Sequence, residues 1–262
     1  MSTALRARNG EVELAYEVIG TGPPVLLIQG LGYGGRGWGP ALDLLAEDFA
    51  VAAFDNRGFG TSDVPPGPYT TEELAEDARA VLDAAGFERA HVVAASLGGM
   101  AAQELALAHP QRLDRLVLAC TTPGVRGYAM PARTMSLMLE APTMPPDVAL
   151  RRFVENALGD GSSPELVERI VAYRTTNPPD LGGWQAQAAA GATHDALERL
   201  GRIDAPTLIV HGTKDAVVDA RNADLLAEHI PDARVELLAG CGHLPFWEEP
   251  ERFAALVKEF LQ

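Results

Sequence analysis

The sequence holds only two cysteines, Cys120 and Cys241, in 262 residues. That is too few for a disulfide scaffold or a cysteine-based zinc site, and it fits a reducing compartment. Basic residues are also scarce: 21 Lys and Arg stand against 36 Asp and Glu, a formal net charge of −15. No basic stripe is present. This excludes nucleic acid and anionic membrane surfaces as partners, because both need Lys and Arg to neutralise phosphate. No apolar run approaches the ~20 residues that span a bilayer. The opening residues, Met1 to Arg6, carry no apolar stretch of the kind a secretory signal needs. A cytoplasmic protein is expected. The six histidines are scattered without metal-ligand spacing, so no metal or cofactor is expected.

Apolar residues make up 47% and charged residues 22%, which is ordinary globular composition. A chain of this size buries about 75% of its unfolded surface and needs no staples. Short β-branched runs at 24–28, 51–55, 91–95, 113–119, 207–211 and 234–238 alternate with helical patterns. The helical patterns lie at 40–47, 71–85, 97–108, 219–229 and near 250–261, the second opening at Thr71 and ending at Gly86. Such alternation predicts an α/β fold, a doubly wound and mostly parallel sheet. The run 11–18 alternates apolar and polar residues as a half-exposed antiparallel edge strand does. From 125 to 202 no strand signal is present. Pro- and Met-rich segments (Met130, Met135, Met138, Met144) and helical pieces near 146–158 and 163–174 take its place. The expected division is a core of 1–124 and 203–262 with a helical cap at 125–202. The methionines fit either a lid surface facing an apolar substrate or packing within the insertion.

Chemistry concentrates at strand ends. The run 91–95 enters Ser96-Leu97-Gly98-Gly99, after which a helix begins. A Ser at a strand-to-helix turn with small residues two positions either side is a nucleophile elbow. Here those residues are Ala94 and Gly98, where Gly is the usual residue at the first position. A helix N-terminus aimed at the site favours developing negative charge. Taken alone, Ser96 leaves open the alternative of a helix cap beside a glycine turn. Two later loops add weight, because this architecture orders its triad as Ser, then acid, then His. The run 207–211 ends in Gly212-Thr213-Lys214-Asp215, and 234–238 ends in Gly240-Cys241-Gly242-His243. Ser96, Asp215 and His243 thus leave one edge of one sheet, where open parallel sheets place their active sites.

With these residues the chain resembles the α/β-hydrolase superfamily over nearly its whole length. The similar segments are Leu26 to Gly32, Asp55 to Ser62, His211 to Asp215 and Gly242-His243, besides the elbow. Within the superfamily it most resembles capped carboxylesterases and lactonases grouped around 3-oxoadipate enol-lactonase. The resemblance implies an oxyanion hole of the Leu31 and Leu97 backbone amides, without metal or cofactor. Gln29 stands where relatives usually carry His, which alters loop electrostatics or simply replaces a structural group. A Ser at the elbow sets aside the haloalkane dehalogenase and epoxide hydrolase branches, which need a carboxylate there.

The other candidates are given structural tasks. His211 is expected to buttress a strand end, and His91, His109, His194 and His229 to be surface or core. Asp219 is expected to cap a helix, Glu248 and Glu249 to start the last one. Asp55 and Arg57 are expected to hold a turn, and Cys241 to be a buried inert thiol. The function implied is a serine esterase or lactonase acting on a small molecule. Same-triad perhydrolases or haloperoxidases, C–C hydrolases and acyltransferases are the alternatives, as is a ligand-binding receptor with vestigial activity. The negative net charge favours neutral, moderately apolar substrates. Arg126, Arg133, Arg151, Arg152 and Arg174 are the residues that could instead bind a substrate carboxylate.

Overall fold

The computed structural model describes residues 5–262. Eight strands build one sheet: β1 (Leu5–Asn9), β2 (Val12–Ile19), β3 (Pro24–Ile28), β4 (Ala50–Phe54), β5 (Ala90–Ala95), β6 (Leu113–Ala119), β7 (Thr207–Gly212) and β8 (Ala233–Leu238). Their spatial order is β1-β2-β4-β3-β5-β6-β7-β8. β2 pairs antiparallel with β1 and β4, and every later pairing is parallel. The chain leaves β3 in one direction to reach β4 and then crosses back to β5. The strand order thus reverses between β3 and β5, and the loops that follow them meet at the carboxyl ends, with Gly30 beside Ser96.

The central strands are covered on both faces. Val25 and Leu27 join one apolar cluster, with Trp38, Phe246 and Phe253, while Leu26 and Ile28 join the other, with Val81, Leu82 and Leu105. Successive side chains of a strand point to opposite faces, so a strand buried on both reads as an unbroken apolar run. Five helices do the covering: α1 (Pro40–Ala46), α2 (Thr71–Ala84), α3 (Leu97–Ala108), α8 (Arg221–His229) and α10 (Pro250–Leu261). Arg57 and Asp77 form a buried two-pronged ion pair at 2.6 and 2.7 Å between the loop after β4 and α2.

Two local expectations are corrected. The alternating strand is present as β2, but it is not the edge, because the turn at Asn9-Gly10 (Gly10 φ 60°) folds β1 back along it. β1 is short and mostly exposed, so it carries no apolar run to announce it. The helix cap sits at Thr70, not Thr71: the Thr70 hydroxyl accepts from Glu73 N–H, and the Glu73 carboxylate accepts from Thr70 N–H. This capping box frees Thr71 for a buried hydrogen bond elsewhere.

Between β6 and β7 lie α4 (Ala132–Glu140), α5 (Pro146–Ala157), α6 (Pro164–Thr176) and α7 (Leu181–Thr193). The sequence predicts α5 and α6 but not α4 or α7. α7 is rich in Gly and Ala because it is pressed against the core: a Cβ on Gly183 would lie 2.2 Å from the Gly58 carbonyl oxygen. A short α9 (Pro245–Glu248) precedes α10. No described helix is long and apolar enough to cross a membrane.

His194 ends α7 and ties it to the core. Its Nδ1 lies 3.0 Å from Thr71 Oγ1 and its Nε2 3.4 Å from Gln103 Oε1. Burial, helped by the charge of Arg199, pushes its pKa down from 6.5 to about 4. The unfolded chain therefore takes up a proton that the fold refuses, and stability is lost as pH falls from 6.5 towards 4. His194→Gln keeps polar partners but does not titrate. Urea unfolding across this pH range should show a steeper acid-side loss for the parent than for the variant.

Candidate active site

β5 ends in Ala95, and α3 begins one residue later, at Leu97. The intervening Ser96 is forced to φ 53°, ψ −121°, a region that non-glycine residues enter only under strain. Its neighbours hold it there. Ser96 N–H donates to Ala119 O at 2.9 Å, and its carbonyl accepts from Thr121 Oγ1 at 2.7 Å. A Cβ on Gly98 would stand 2.3 Å from Ile28 O, one on Gly99 2.6 Å from Thr121 Cβ, and one on Gly30 2.9 Å from Ser96 Cβ. Ala94 is accommodated as a fully buried strand residue in register with Ile28 and Leu118.

The loop after β3 is laced together by its amides. Gly30 N–H donates to Gln29 Oε1 at 2.7 Å, and Tyr33 N–H to Gly30 O at 3.2 Å. Gly32 N–H donates to Gln187 Oε1 of α7 at 3.1 Å, while Gln187 Nε2 donates to Arg57 O at 2.7 Å. Asn56 Nδ2 donates to Gln29 O at 2.8 Å. Among the described residues, Leu31 N–H finds no acceptor. Leu97 N–H opens α3, where helix amides have no partner of their own. Gln29 thus acts structurally: its side chain fixes the loop that carries Leu31.

Asp215 and His243 meet from the loops after β7 and β8, with His243 Nδ1 2.7 Å from Asp215 Oδ2. Asp215 Oδ1 accepts from Val217 N–H at 2.8 Å and Val218 N–H at 2.9 Å. Burial alone would raise the Asp215 pKa, but the facing His243 and hydrogen bonds from both His211 and His243 hold it well below the ordinary carboxylate range. The carboxyl is therefore an anion. Among the described residues the His243 ring hydrogen-bonds to Asp215 alone. Its contact with Ser96 is left open, as nucleophile–base contacts commonly are before substrate is present. Asp219 faces away. Its carboxylate takes Arg221 N–H at 3.0 Å and the Arg221 guanidinium, two residues ahead of α8 rather than at its cap.

Three supporting residues lie outside the sequence reading. Glu248 is not merely a helix start: its half-buried carboxylate accepts from Gly242, Leu244 and Gly159 N–H and clamps the His243 loop. Gln187 braces the loop of Leu31. His211 does more than buttress a strand, since its Nε2 lies 3.1 Å from Asp215 Oδ2. Gly240-Cys241-Gly242 marks the His243 loop locally; Gln187 lies 155 residues from the loop it braces, while Glu248 and His211 are near in sequence but stand in no recognisable motif for these bonds. Asp55 holds its turn as expected, accepting from Gly35 and Thr61 N–H. Cys241 is a buried free thiol whose pKa burial pushes up to about 12.

The arginines of the insertion separate. Arg126, Arg151 and Arg152 pair with carboxylates, and Arg133 is exposed. Arg174 has no carboxylate within ion-pair distance among the described residues. Its guanidinium lies 4.3 Å over the Tyr33 ring, beside the Leu31 loop, and its Nε is buried without a partner. Met130, Met135 and Met138 are exposed on the insertion.

The profile of a family described as alpha/beta hydrolase fold matches residues 23–250. The chain belongs to this family. It is 32% identical to 2-hydroxy-6-oxo-6-phenylhexa-2,4-dienoate hydrolase of Comamonas testosteroni, over 94% of this chain and 90% of that one. The crystal structure of a hydrolase from Pseudomonas aeruginosa superposes with TM-score 0.86 and 32% identity, covering 99% of this chain and 98% of that one. The enol-lactonase from Burkholderia xenovorans superposes with TM-score 0.85 and 26% identity, covering 98% of this chain and 99% of that one. The hydrolase family thus includes relatives named for more than one substrate.

The contact between Gly30 and Ser96 is directly testable. A methyl group on Gly30 meets Ser96 Cβ at 2.9 Å, and both atoms are fixed to backbone. Displacing a reacting group by ~1 Å can cost about 10²-fold in rate. Gly30→Ala should slow labelling of Ser96 by a fluorophosphonate probe by about that factor. Its circular dichroism should match the parent's.

Proposed function

We propose that the protein is a cofactor-free serine hydrolase that cleaves a carboxylic ester or lactone through an acyl-enzyme intermediate. The buried Asp215–His243 pair on the loops after β7 and β8, together with the strained Ser96 after β5 at the same end of the sheet, carries this reading. Ser96 Oγ attacks the carbonyl carbon while His243 Nε2 takes its proton, and Asp215 fixes the His243 tautomer and balances the imidazolium. The Leu31 and Leu97 amides donate to the oxyanion, each such donor being worth on the order of 10²–10³ in rate. His243 returns the proton to the leaving oxygen, and water activated by the same base releases the acyl group. In this reading 1–124 and 203–262 carry the chemistry. Residues 125–202 form a cap that chooses the substrate, a small molecule met in the cytoplasm.

The relatives named above support a hydrolase, and they leave same-triad chemistry on other bonds as the competitor. Product analysis with peroxide, a β-diketone or an alcohol acceptor separates those reactions. A vestigial receptor would bind ligand without a burst of released alcohol.

Arg174 supports a second reading, in which the ester or lactone bears a carboxylate. The guanidinium stands beside the Leu31 loop with its charge unpaired, and two relatives are named for acids or their lactones. The net charge of −15 favours a neutral substrate at long range, an effect that salt screens. The comparison that decides is kcat/KM for a short neutral aryl ester against a carboxylate-bearing lactone, at low and high salt. A lactone preference that Arg174→Ala abolishes would establish the second reading.

The triad itself makes sharper demands. Ser96→Ala and His243→Ala should each lower ester cleavage by about 10³-fold or more, and the double variant should be little worse. More than about a tenth of the parent rate in Ser96→Ala would overturn the assignment of the nucleophile. Asp215→Asn should cost about 10²–10⁴-fold, because the amide favours the wrong imidazole tautomer. Asp219→Asn should cost less than about 1 kcal/mol of stability, as loss of an exposed ion pair with Arg221 does, and little rate. Reversal of those two results would make Asp219 the acid.

A further inference from the structure

The His211 side chain is completely buried at the end of β7, and the mechanism above gives it no task. Its Nε2 stands 3.1 Å from Asp215 Oδ2 and 3.2 Å from the Val218 carbonyl oxygen, pointing more directly at the latter. An ionised carboxylate and a carbonyl can only accept, so the nitrogen facing them carries the hydrogen. Nδ1 on the far side of the ring is buried without a partner. A hydrogen there would go unsatisfied in the core, and the geometry therefore selects the Nε2–H tautomer.

The surroundings of Asp215 make this hydrogen consequential. Oδ1 is committed to two backbone N–H groups, and Oδ2 is approached by both His243 Nδ1 and His211 Nε2. Val218, which donates to Oδ1, accepts from His211 through its carbonyl. His211 thus closes the turn from Asp215 to Val218 and competes with His243 for one oxygen.

We propose that His211 is a positioning residue that holds the Asp215 turn and draws off part of its carboxylate charge, so that His243 is a weaker base than Asp215 alone would make it. The proposal rests on the reading of Asp215 and His243 as acid and base. Other groups face the pair as well. Cys120 stands at the end of β6, Asp219 in the loop before α8, Glu248 on α9 and Cys241 beside His243. All of them stay in place when residue 211 alone is changed. Removing the His211 N–H leaves Oδ2 to His243, which stabilises the imidazolium. The base then stays protonated to a higher pH.

The test reads phosphonylation of Ser96 by a fluorophosphonate between pH 5 and 9, which needs no knowledge of the substrate. The Ser96 oxygen–phosphorus bond forms, fluoride leaves, and the serine proton passes to His243. His211→Leu removes the donor, and His211→Gln keeps an N–H within reach of the same acceptors. In His211→Leu the midpoint of the low-pH limb should rise by about 0.5–1 unit, slowing labelling on that limb by up to about 3–10-fold against the parent when each is scaled to its own plateau. His211→Gln should hold within about 0.2 unit of the parent. An unshifted limb in His211→Leu, an equal loss at every pH, or a glutamine variant that behaves like leucine would each overturn the proposal. If His211→Leu does not fold, the glutamine variant and the parent decide. Nitrogen NMR of ¹⁵N-histidine-labelled parent protein at pH 8 should show the Nε2–H tautomer for His211, and the Nδ1–H form would overturn the proposal. Unimpaired ester cleavage by Ser96→Ala or Asp215→Asn would instead refute the triad, a result distinct from any shift produced at His211.

Discussion

Three stretches of backbone converge at the carboxyl end of β5 with no space for a side chain between them. The end of β3, the turn at Ser96 and the start of α3 touch through Gly30, Gly98 and Gly99. Everything else at the site depends on that closeness. It allows the Ser96 backbone to be held in a strained conformation by Ala119 and Thr121 on the next strand and loop. In the proposed mechanism a single methyl group in this junction would push apart the elements that carry the Leu31 amide and the first amide of α3.

What could be read from the chain follows from how each feature is encoded. Strands buried on both faces leave continuous apolar runs, so β3, β5, β6 and β7 are legible to within a residue or two. β1 leaves none, and the edge is misplaced as a result. The Gly and Ala of α7 are there for close approach to Gly58, which removes the amphipathic contrast that would reveal a helix. At the site, Ser96, Asp215 and His243 are legible because each stands in a glycine-bearing turn directly after a strand. Gln187 acts on a loop made far away in the chain, and Glu248 and His211 act on loops close by, but in each case the role depends on where the side chain turns, which no local pattern distinguishes from an ordinary polar residue.

The charge of the molecule and the charge at its crevice have opposite signs of emphasis. The surface is strongly acidic, yet most carboxylates near the insertion are occupied by its own arginines, and Arg174 is left facing the Leu31 loop. Deeper in, the buried Asp215 carboxylate is met by two backbone N–H groups and by the rings of His243 and His211. Local geometry therefore governs the reacting groups, while net charge acts on the approach of solutes.

Gln187 joins the Leu31 loop to a helix 155 residues further along the chain. That helix rests on a small apolar cluster of Tyr69, Leu74, Leu97, Ala101, Ala186 and Ala190, far slighter than the two cores flanking the sheet. On warming, segments with few buried contacts open before the rest. Once α7 loosens, the loop loses a brace while the sheet still stands, so heat would extinguish turnover at a lower temperature than it melts the protein. Exchange of the insertion between relatives carries the same liability. A transplanted lid that brings a new substrate preference without a glutamine at this place would also release the loop and cost turnover.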